Sequence, residues 1–181
     1  MRLRNSETAF GAVTKCLHWL TAVLIGGLLA LGYYMVGLTY YDRWYHQSLM
    51  VHKACGMLVF VLGVMTLGWR WLSPSPAHQA SLKQWERTAA TAMHHSLFLL
   101  VFLIPVSGFL ISTSEGKGVE FFDCFVVSPI VPVDEHLRDL AIKVHFYCAY
   151  TTAMLVLLHA GAALKHQLID RDGTLARMLW R

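Results

Sequence analysis

Charged residues are scarce in this sequence. Of its 181 residues, only 14% are Asp, Glu, Lys or Arg, whereas 56% are hydrophobic. A soluble domain carries about a quarter charged residues, so this composition argues against a soluble fold. The net charge of +4 does not indicate nucleic acid as a partner, because the basic residues form no solvated stripe or motif. The composition favours a single membrane domain over residues 1–181.

Long uncharged segments divide the chain. Three of them contain no Asp, Glu, Lys or Arg, at residues 16–41, 88–114 and 144–164. The fourth, 54–69, reaches back to residue 49 if Lys53 extends its ammonium to the headgroups. About 20 apolar residues cross a hydrocarbon core of roughly 30 Å. We therefore expect transmembrane helices at about residues 16–38, 49–71, 89–112 and 141–165. The predicted fold class is all-α, an integral membrane four-helix bundle, and the alternative of a soluble bundle is disfavoured.

The two sides of this bundle differ in charge. One side holds both termini and the connection between the second and third helices, and it carries ten basic and four acidic residues. The opposite side carries five basic and seven acidic residues. The positive-inside rule then places both termini in the cytoplasm. Residues 81–92 are expected to form an amphipathic helix at the membrane interface. In the long connection 115–140, Pro129 and Pro132 argue against regular structure.

Histidine is abundant, with ten residues, and two of them lie in the fourth predicted helix. His145 and His159 are fourteen residues apart, which is nearly four turns, so both rings project from about the same face at roughly 21 Å separation. Polar side chains inside a membrane span are expensive, so each is a functional hypothesis by default. One histidine is expected near each membrane surface.

Each of these two histidines has a partner at the same expected depth in the membrane. The first helix begins at the cytoplasmic side, so His18 lies at the level of His159. The second helix begins at the opposite side, so His52 lies at the level of His145. Two histidine pairs stacked across a bilayer predict two haems held between helices of the bundle. The sequence has no C-x-x-C-H motif, which excludes covalent c-type attachment and leaves b haem. Because two histidines fill both axial positions, such a centre would transfer electrons and bind no reactant at iron.

Other interpretations of the histidines stay open. Gly56 and Gly63 share the predicted face of His52 and would leave room for a flat macrocycle, although small residues also serve helix packing. Four histidines that only form hydrogen bonds between helices would give a non-redox scaffold. Zinc or another metal would give a non-redox metal-binding membrane protein, but no carboxylate accompanies either pair.

Several motifs then resemble the bacterial cytochrome b561 family. They are Leu17-His18-Trp19, His52-Lys53, Ile104-Pro105-Val106-Ser107-Gly108, His145 with His159, and the tail from Ala162 to Met178. The resemblance covers nearly the whole chain, and the fourteen-residue histidine spacing is its most specific element.

The resemblance implies a respiratory dihaem electron-transport protein of the bacterial inner membrane, surrounded by lipid, with His18, His52, His145 and His159 as the iron ligands. It implies exchange with the quinone pool, through ubiquinone or menaquinone, and allows a periplasmic or membrane redox protein as a further partner. It also points to His94 beside the inner haem as part of a quinone site, although the pair His94-His95 leaves open which ring faces the bundle.

Two further expectations concern charge. Lys53, Lys143 and Arg70 are candidates to pair with haem propionates, with extension to the headgroups as an equal alternative. Some members of the family oxidise superoxide and reduce ubiquinone, so a superoxide:ubiquinone oxidoreductase is the alternative function. The net negative outer side argues against it, because an anionic substrate is attracted by positive potential.

Overall fold

A computed structural model describes residues 2–77, 79 and 81–179. Five residues lie outside this description: Met1, His78, Ala80, Trp180 and Arg181. Arg181 is one of the ten basic residues on which the predicted orientation depends.

Four long helices make up most of the described chain. They are α1 Ala12–Val36, α2 Tyr45–Leu72, α3 Gln84–Thr113 and α4 Glu135–Leu168. Each is long and apolar enough to cross a membrane, so the predicted all-α, four-helix membrane fold is confirmed. Each helix begins four to six residues before the predicted span, because its first turn contains polar residues that the search for uncharged segments left out. At the start of α4, for example, the Asp134 carboxylate accepts a hydrogen bond of 2.7 Å from the Leu137 amide.

The expected interfacial helix at residues 81–92 is wrong as a separate element. Helix α3 runs without a break from Gln84 to Thr113. Its first turn is closed by the Glu86 carboxylate, which accepts a hydrogen bond of 2.9 Å from the Lys83 amide. The amphipathic residues are therefore the first two turns of a helix that continues into the apolar span.

A short β-hairpin interrupts the long connection between α3 and α4. Strands β1 (Val119–Phe121) and β2 (Phe125–Val127) pair antiparallel, and the rings of Phe121 and Phe125 stack at 4.9 Å. The turn needs positive φ at Phe122 (45°) and Asp123 (57°), a region that few side chains favour. Sequence patterning did not predict this hairpin. Residues 128–134, which include both prolines, are irregular as expected.

The bundle exposes a largely apolar surface. Helix α3 packs against α2 and α4, and α1 packs against α2. Large apolar side chains on every helix face outward, among them Leu20, Val61, Leu103 and Leu157. A contiguous apolar surface of this size is unfavourable in water and suits hydrocarbon, so the outward face is the lipid-facing face.

Three segments meet at one end of the bundle, which we call the tail end. The Asn5 side chain donates a hydrogen bond of 3.0 Å to the Ser73 carbonyl, and Arg177 donates to the carbonyls of Thr8 (3.0 Å) and Ala77 (3.1 Å). The N-terminal segment, the connection between α2 and α3, and the C-terminal tail thus share one end, as the charge pattern requires. The opposite end, with the hairpin, is called the hairpin end.

Candidate functional site: two histidine pairs

The four predicted ligands form two pairs of neighbouring rings, each with an angle of 64° between the ring planes. The ring centroids of His18 and His159 are 6.3 Å apart, at the tail end, and those of His52 and His145 are 6.2 Å apart, nearer the hairpin end. In each pair one ring comes from α4 and the other from α1 or α2. The predicted juxtaposition is present at both levels, and ligation of iron stays a prediction.

These separations fit two imidazoles that bind one metal ion from opposite sides. A histidine nitrogen lies about 2.0–2.1 Å from a bound metal, and a ring nitrogen lies roughly 1.2 Å from its own ring centroid. Two such rings on one ion would therefore have centroids about 6.4–6.6 Å apart, within a few tenths of an ångström of the observed separations. Rings in direct hydrogen-bonded contact would lie closer together, so the residues fit a bis-histidine iron site.

Helix α3 orients the His145 ring. Its Nδ1 lies 3.0 Å from the Ile104 carbonyl oxygen and 3.2 Å from the Ser107 hydroxyl, while that hydroxyl also lies 2.9 Å from the same carbonyl. A ring whose Nδ1–H donates to the carbonyl has Nε2 left as its free acceptor, which is the usual arrangement around a histidine that binds a metal. The motif Ile104–Gly108, which the resemblance had singled out, is thus the support of the His145 ring.

Two glycines allow the hairpin-end rings to approach the neighbouring helices. A Cβ at Gly108 would lie 3.1 Å from His145 Cε1, and a Cβ at Gly32 would lie 3.3 Å from His52 Cε1. Both distances are shorter than ordinary van der Waals contacts. Because glycine has no Cβ, each position leaves room for the histidine ring. The His52 Nδ1 atom is buried without a hydrogen-bond partner among the described residues, so packing against Gly32 holds this ring.

The structure distinguishes Gly56 from Gly63. A Cβ at Gly56 would meet no atom within 4 Å, so its predicted role in leaving room for a macrocycle stays a prediction, whereas a Cβ at Gly63 would meet Val101 and Phe102 of α3 at 2.8 and 3.1 Å. Gly63 therefore serves the close packing of α2 on α3. The glycines that contact the histidine rings lie on α1 and α3.

The neighbouring histidines of α3 face different ways. The His94 ring lies 5.3 Å from the His159 ring, edge to face. The Nδ1 atom of His95 lies 2.9 Å from the Thr91 carbonyl of its own helix. His94 is thus the ring that faces the tail-end pair, which resolves the ambiguity of the sequence, and its role with quinone stays a prediction.

The basic residues expected near the sites have different surroundings. Arg70 places its guanidinium 4.5 Å from the centroid of the Phe98 ring on α3, in cation–π geometry. Lys53 follows His52 directly and is half-buried, whereas Lys143 is exposed two residues before His145. Neither lysine forms an ion pair within the part of the chain that the structure describes, so both stay candidates for an anion at the hairpin end.

A charge network closes the tail end between α3 and α4. The Lys165 ammonium lies 3.0 Å from Glu86 and 2.7 Å from Asp170. The Nδ1 atom of His166 lies 2.8 and 2.9 Å from the carboxylates of Asp170 and Asp172. Burial raises the pKa of the Asp172 carboxyl, but hydrogen bonding by Thr174 and the adjacent His166 outweigh it and leave this pKa below its usual value. The sequence did not predict this network, whose members come from α3, α4 and the tail.

Comparisons with known proteins match nearly the whole chain. Residues 9–181 match the profile of the family described as "Prokaryotic cytochrome b561". The chain is similar to "Cytochrome b561 homolog 2" of Escherichia coli (strain K12), 40% identical over 99% of this chain and 95% of that protein. It is also similar to "Cytochrome b561 homolog 1" of the same organism, with 30% identity over 91% of this chain and 93% of that protein. A more distant relative is "Probable superoxide oxidase CybB" of Yersinia pestis, with 25% identity over 72% of this chain and 73% of that protein.

Proposed function

The chain belongs to the prokaryotic cytochrome b561 family, and on that basis we propose that it carries electrons across a bacterial inner membrane and exchanges them with the quinone pool. In this proposal His18 and His159 hold one b haem, and His52 and His145 hold a second. The observation that carries it is the pair of ring separations, 6.3 and 6.2 Å, at two levels of the same membrane bundle.

The proposed role of the protein is to fix two redox centres and keep them apart from water. A bis-histidine b haem supplies reversible one-electron chemistry without an open coordination position. His145 is oriented by the Ile104 carbonyl and the Ser107 hydroxyl, and His52 by its contact with Gly32. Since α4 contributes one ring at each level, roughly 21 Å apart along its axis, a rigid helix sets the distance between the two levels.

His94 is the residue that we assign to quinone exchange. Its ring is exposed on α3 and lies 5.3 Å from the ring of His159. Reduction of a quinone takes up protons together with electrons, and an imidazole is a side chain that can hold and donate a proton near neutral pH. His94 would thus bind the quinone headgroup at the tail end, which the charge pattern assigns to the cytoplasm.

The direct test is the number and type of haems in the purified protein. We expect a pyridine haemochrome assay to give two b haems per chain. We also expect a redox titration of the visible spectrum to resolve two low-spin, one-electron components. One haem per chain after full loading would remove one of the two sites, and none would exclude the proposed function.

Oxidation of superoxide at the hairpin end is a second candidate. It is favoured by the relative named as a superoxide oxidase and by Lys53 and Lys143, two cations beside the outer pair without ion-pair partners among the described residues. Arg138, in contrast, is paired with Asp139 at 3.1 Å. Mixing the oxidised protein with superoxide should reduce haem rapidly, and Lys53→Gln with Lys143→Gln should slow this step. Slow reduction by superoxide in the unaltered protein would exclude this candidate.

A further inference from the structure

Lys15 is a buried cation at the tail end. Only 8% of the residue is exposed, and its ammonium donates a hydrogen bond of 2.6 Å to the Leu179 carbonyl of the C-terminal tail. It forms no ion pair with any residue in the described part of the chain. A lysine that extends to the headgroups would leave its ammonium in water, whereas the tail covers Lys15.

Among the described residues, Lys15 has no counter-charge. A buried ammonium is unfavourable unless it is paired as well as hydrogen-bonded, and one carbonyl oxygen provides only one acceptor for its three N–H donors. Of the four acidic residues at the same end, Glu86, Asp170 and Asp172 are engaged by Lys165 and His166. The fourth, Glu7, is exposed and forms no ion pair with Lys15. Because none of the described acidic residues neutralises Lys15, its surroundings suit a further anion.

Lys15 lies beside the tail-end histidine pair. Residues three and four apart share one face of a helix, so Lys15, His18 and Trp19 project from the same side of α1, with Lys15 about 4.5 Å nearer the tail end than His18. The Trp19 ring lies 5.3 Å from the His18 ring, edge to face. Its indole N–H donates to the Met178 carbonyl at 2.9 Å, one residue before the carbonyl that holds Lys15.

The tail is fixed in this position by contacts away from the histidines. Residues Leu175–Met178 form a short 3₁₀ helix. Beside it, Arg177 donates hydrogen bonds to the carbonyls of Thr8 and Ala77 and lies over the Phe10 ring at 5.6 Å. The Leu179 carbonyl is thus held where it can orient the Lys15 ammonium.

We propose that Lys15, oriented by the Leu179 carbonyl, binds a carboxylate of the cofactor between His18 and His159. The inference rests on the proposed function, since the anionic groups of b haem are its propionates. A positive charge beside a haem favours the reduced state, because reduction makes the centre less positive. Lys15 therefore raises the reduction potential of the tail-end haem and leaves that of the other haem unchanged.

The experiment is a redox titration of the complete, haem-loaded protein and four variants. The tail-end component is identified as the one missing from His18→Ala. Lys15→Gln should lower the ratio of reduced to oxidised tail-end haem three- to tenfold at fixed ambient potential, which is about 28 to 59 mV for a one-electron couple. Lys15→Arg keeps the charge and should keep the potential.

Lys83→Gln is the matched control. It removes one positive charge from the same end at an exposed residue that takes no part in holding the tail, so the tail-end potential should stay unchanged. An unchanged potential in Lys15→Gln, an equal shift in Lys83→Gln, or a shift confined to the other haem would each overturn the inference.

Loss of haem in the variants is also informative. Loss of the tail-end haem from Lys15→Gln, but not from Lys15→Arg or Lys83→Gln, supports the inference, and its loss from both Lys15 variants overturns it. Absence of haem from the unaltered protein would instead contradict the proposed function.

Discussion

The Gly108→Ala substitution should selectively weaken the binding of the haem that we propose at the hairpin end. A Cβ at this position lies 3.1 Å from Cε1 and 3.3 Å from Nδ1 of His145. Ordinary carbon–carbon contacts are about 3.5–4.0 Å, so the ring has to move by roughly 0.4–0.9 Å. That movement would also lengthen the 3.0 Å contact between Nδ1 and the Ile104 carbonyl.

The expected magnitude follows from the tolerance of metal sites. Metal–ligand distances vary within about 0.2 Å in a competent site, and loss of an orienting contact on a ligand costs about 10- to 100-fold in metal affinity. We expect the affinity for the second haem to fall by about that factor. General destabilisation does not explain such a loss, because alanine is more favourable than glycine inside a helix by about 1 kcal/mol.

Titration of the haem-free protein with haem measures this effect, with the pyridine haemochrome assay as a check on the final loading. Gly68→Ala is the matched control, because it makes the same change in α2 at an exposed position where a Cβ meets no atom within 4 Å. It should bind both haems as the unaltered protein does. The reasoning would be refuted if Gly108→Ala kept full affinity, if it lost the tail-end haem, or if Gly68→Ala had the larger effect.

Three further predictions test the proposed function. His18→Ala and His159→Ala should remove the same spectral component, and His52→Ala and His145→Ala the other; loss of one component from His18→Ala and His145→Ala alike would show that the pairing is wrong. His94→Phe should retain both haems and slow their oxidation by ubiquinone or menaquinone analogues at least tenfold, and an unchanged rate would remove His94 from the quinone site. A reporter active only in the periplasm, fused to the C-terminus, should be silent, and strong activity would invert the orientation.

Sequence patterns predicted the features that one helix determines by itself. The absence of charge located the four helices, and fourteen residues between His145 and His159 placed two rings on one face of α4. The level of His18 and His52 then followed from the direction in which each helix runs. Helix starts were less accurate, because polar first turns such as the one that Asp134 caps carry no apolar signal.

Features that join distant segments could not be predicted in this way. The contact of His145 with the Ile104 carbonyl joins residues 41 apart, and that of Lys15 with Leu179 joins residues 164 apart. Each depends on how two elements are rotated and shifted relative to one another, for which periodicity within one helix has no signal. The hairpin was not predicted because its turn lacks the usual sequence signal. Phe122 and Asp123 adopt positive φ without the glycine that usually indicates such a turn.

Gly63 of α2 shows why two residues on the same face of a helix can have different surroundings. Gly63 follows His52 by eleven residues, which places them within about 20° of each other around the helix axis. Nevertheless His52 faces His145 of α4, whereas Gly63 packs against Phe102 of α3. Helices in a bundle cross at an angle, so one face of α2 meets different neighbours at different depths. Clearance for a ring is therefore decided by the residues opposite it, Gly32 and Gly108, and those belong to the neighbouring helices.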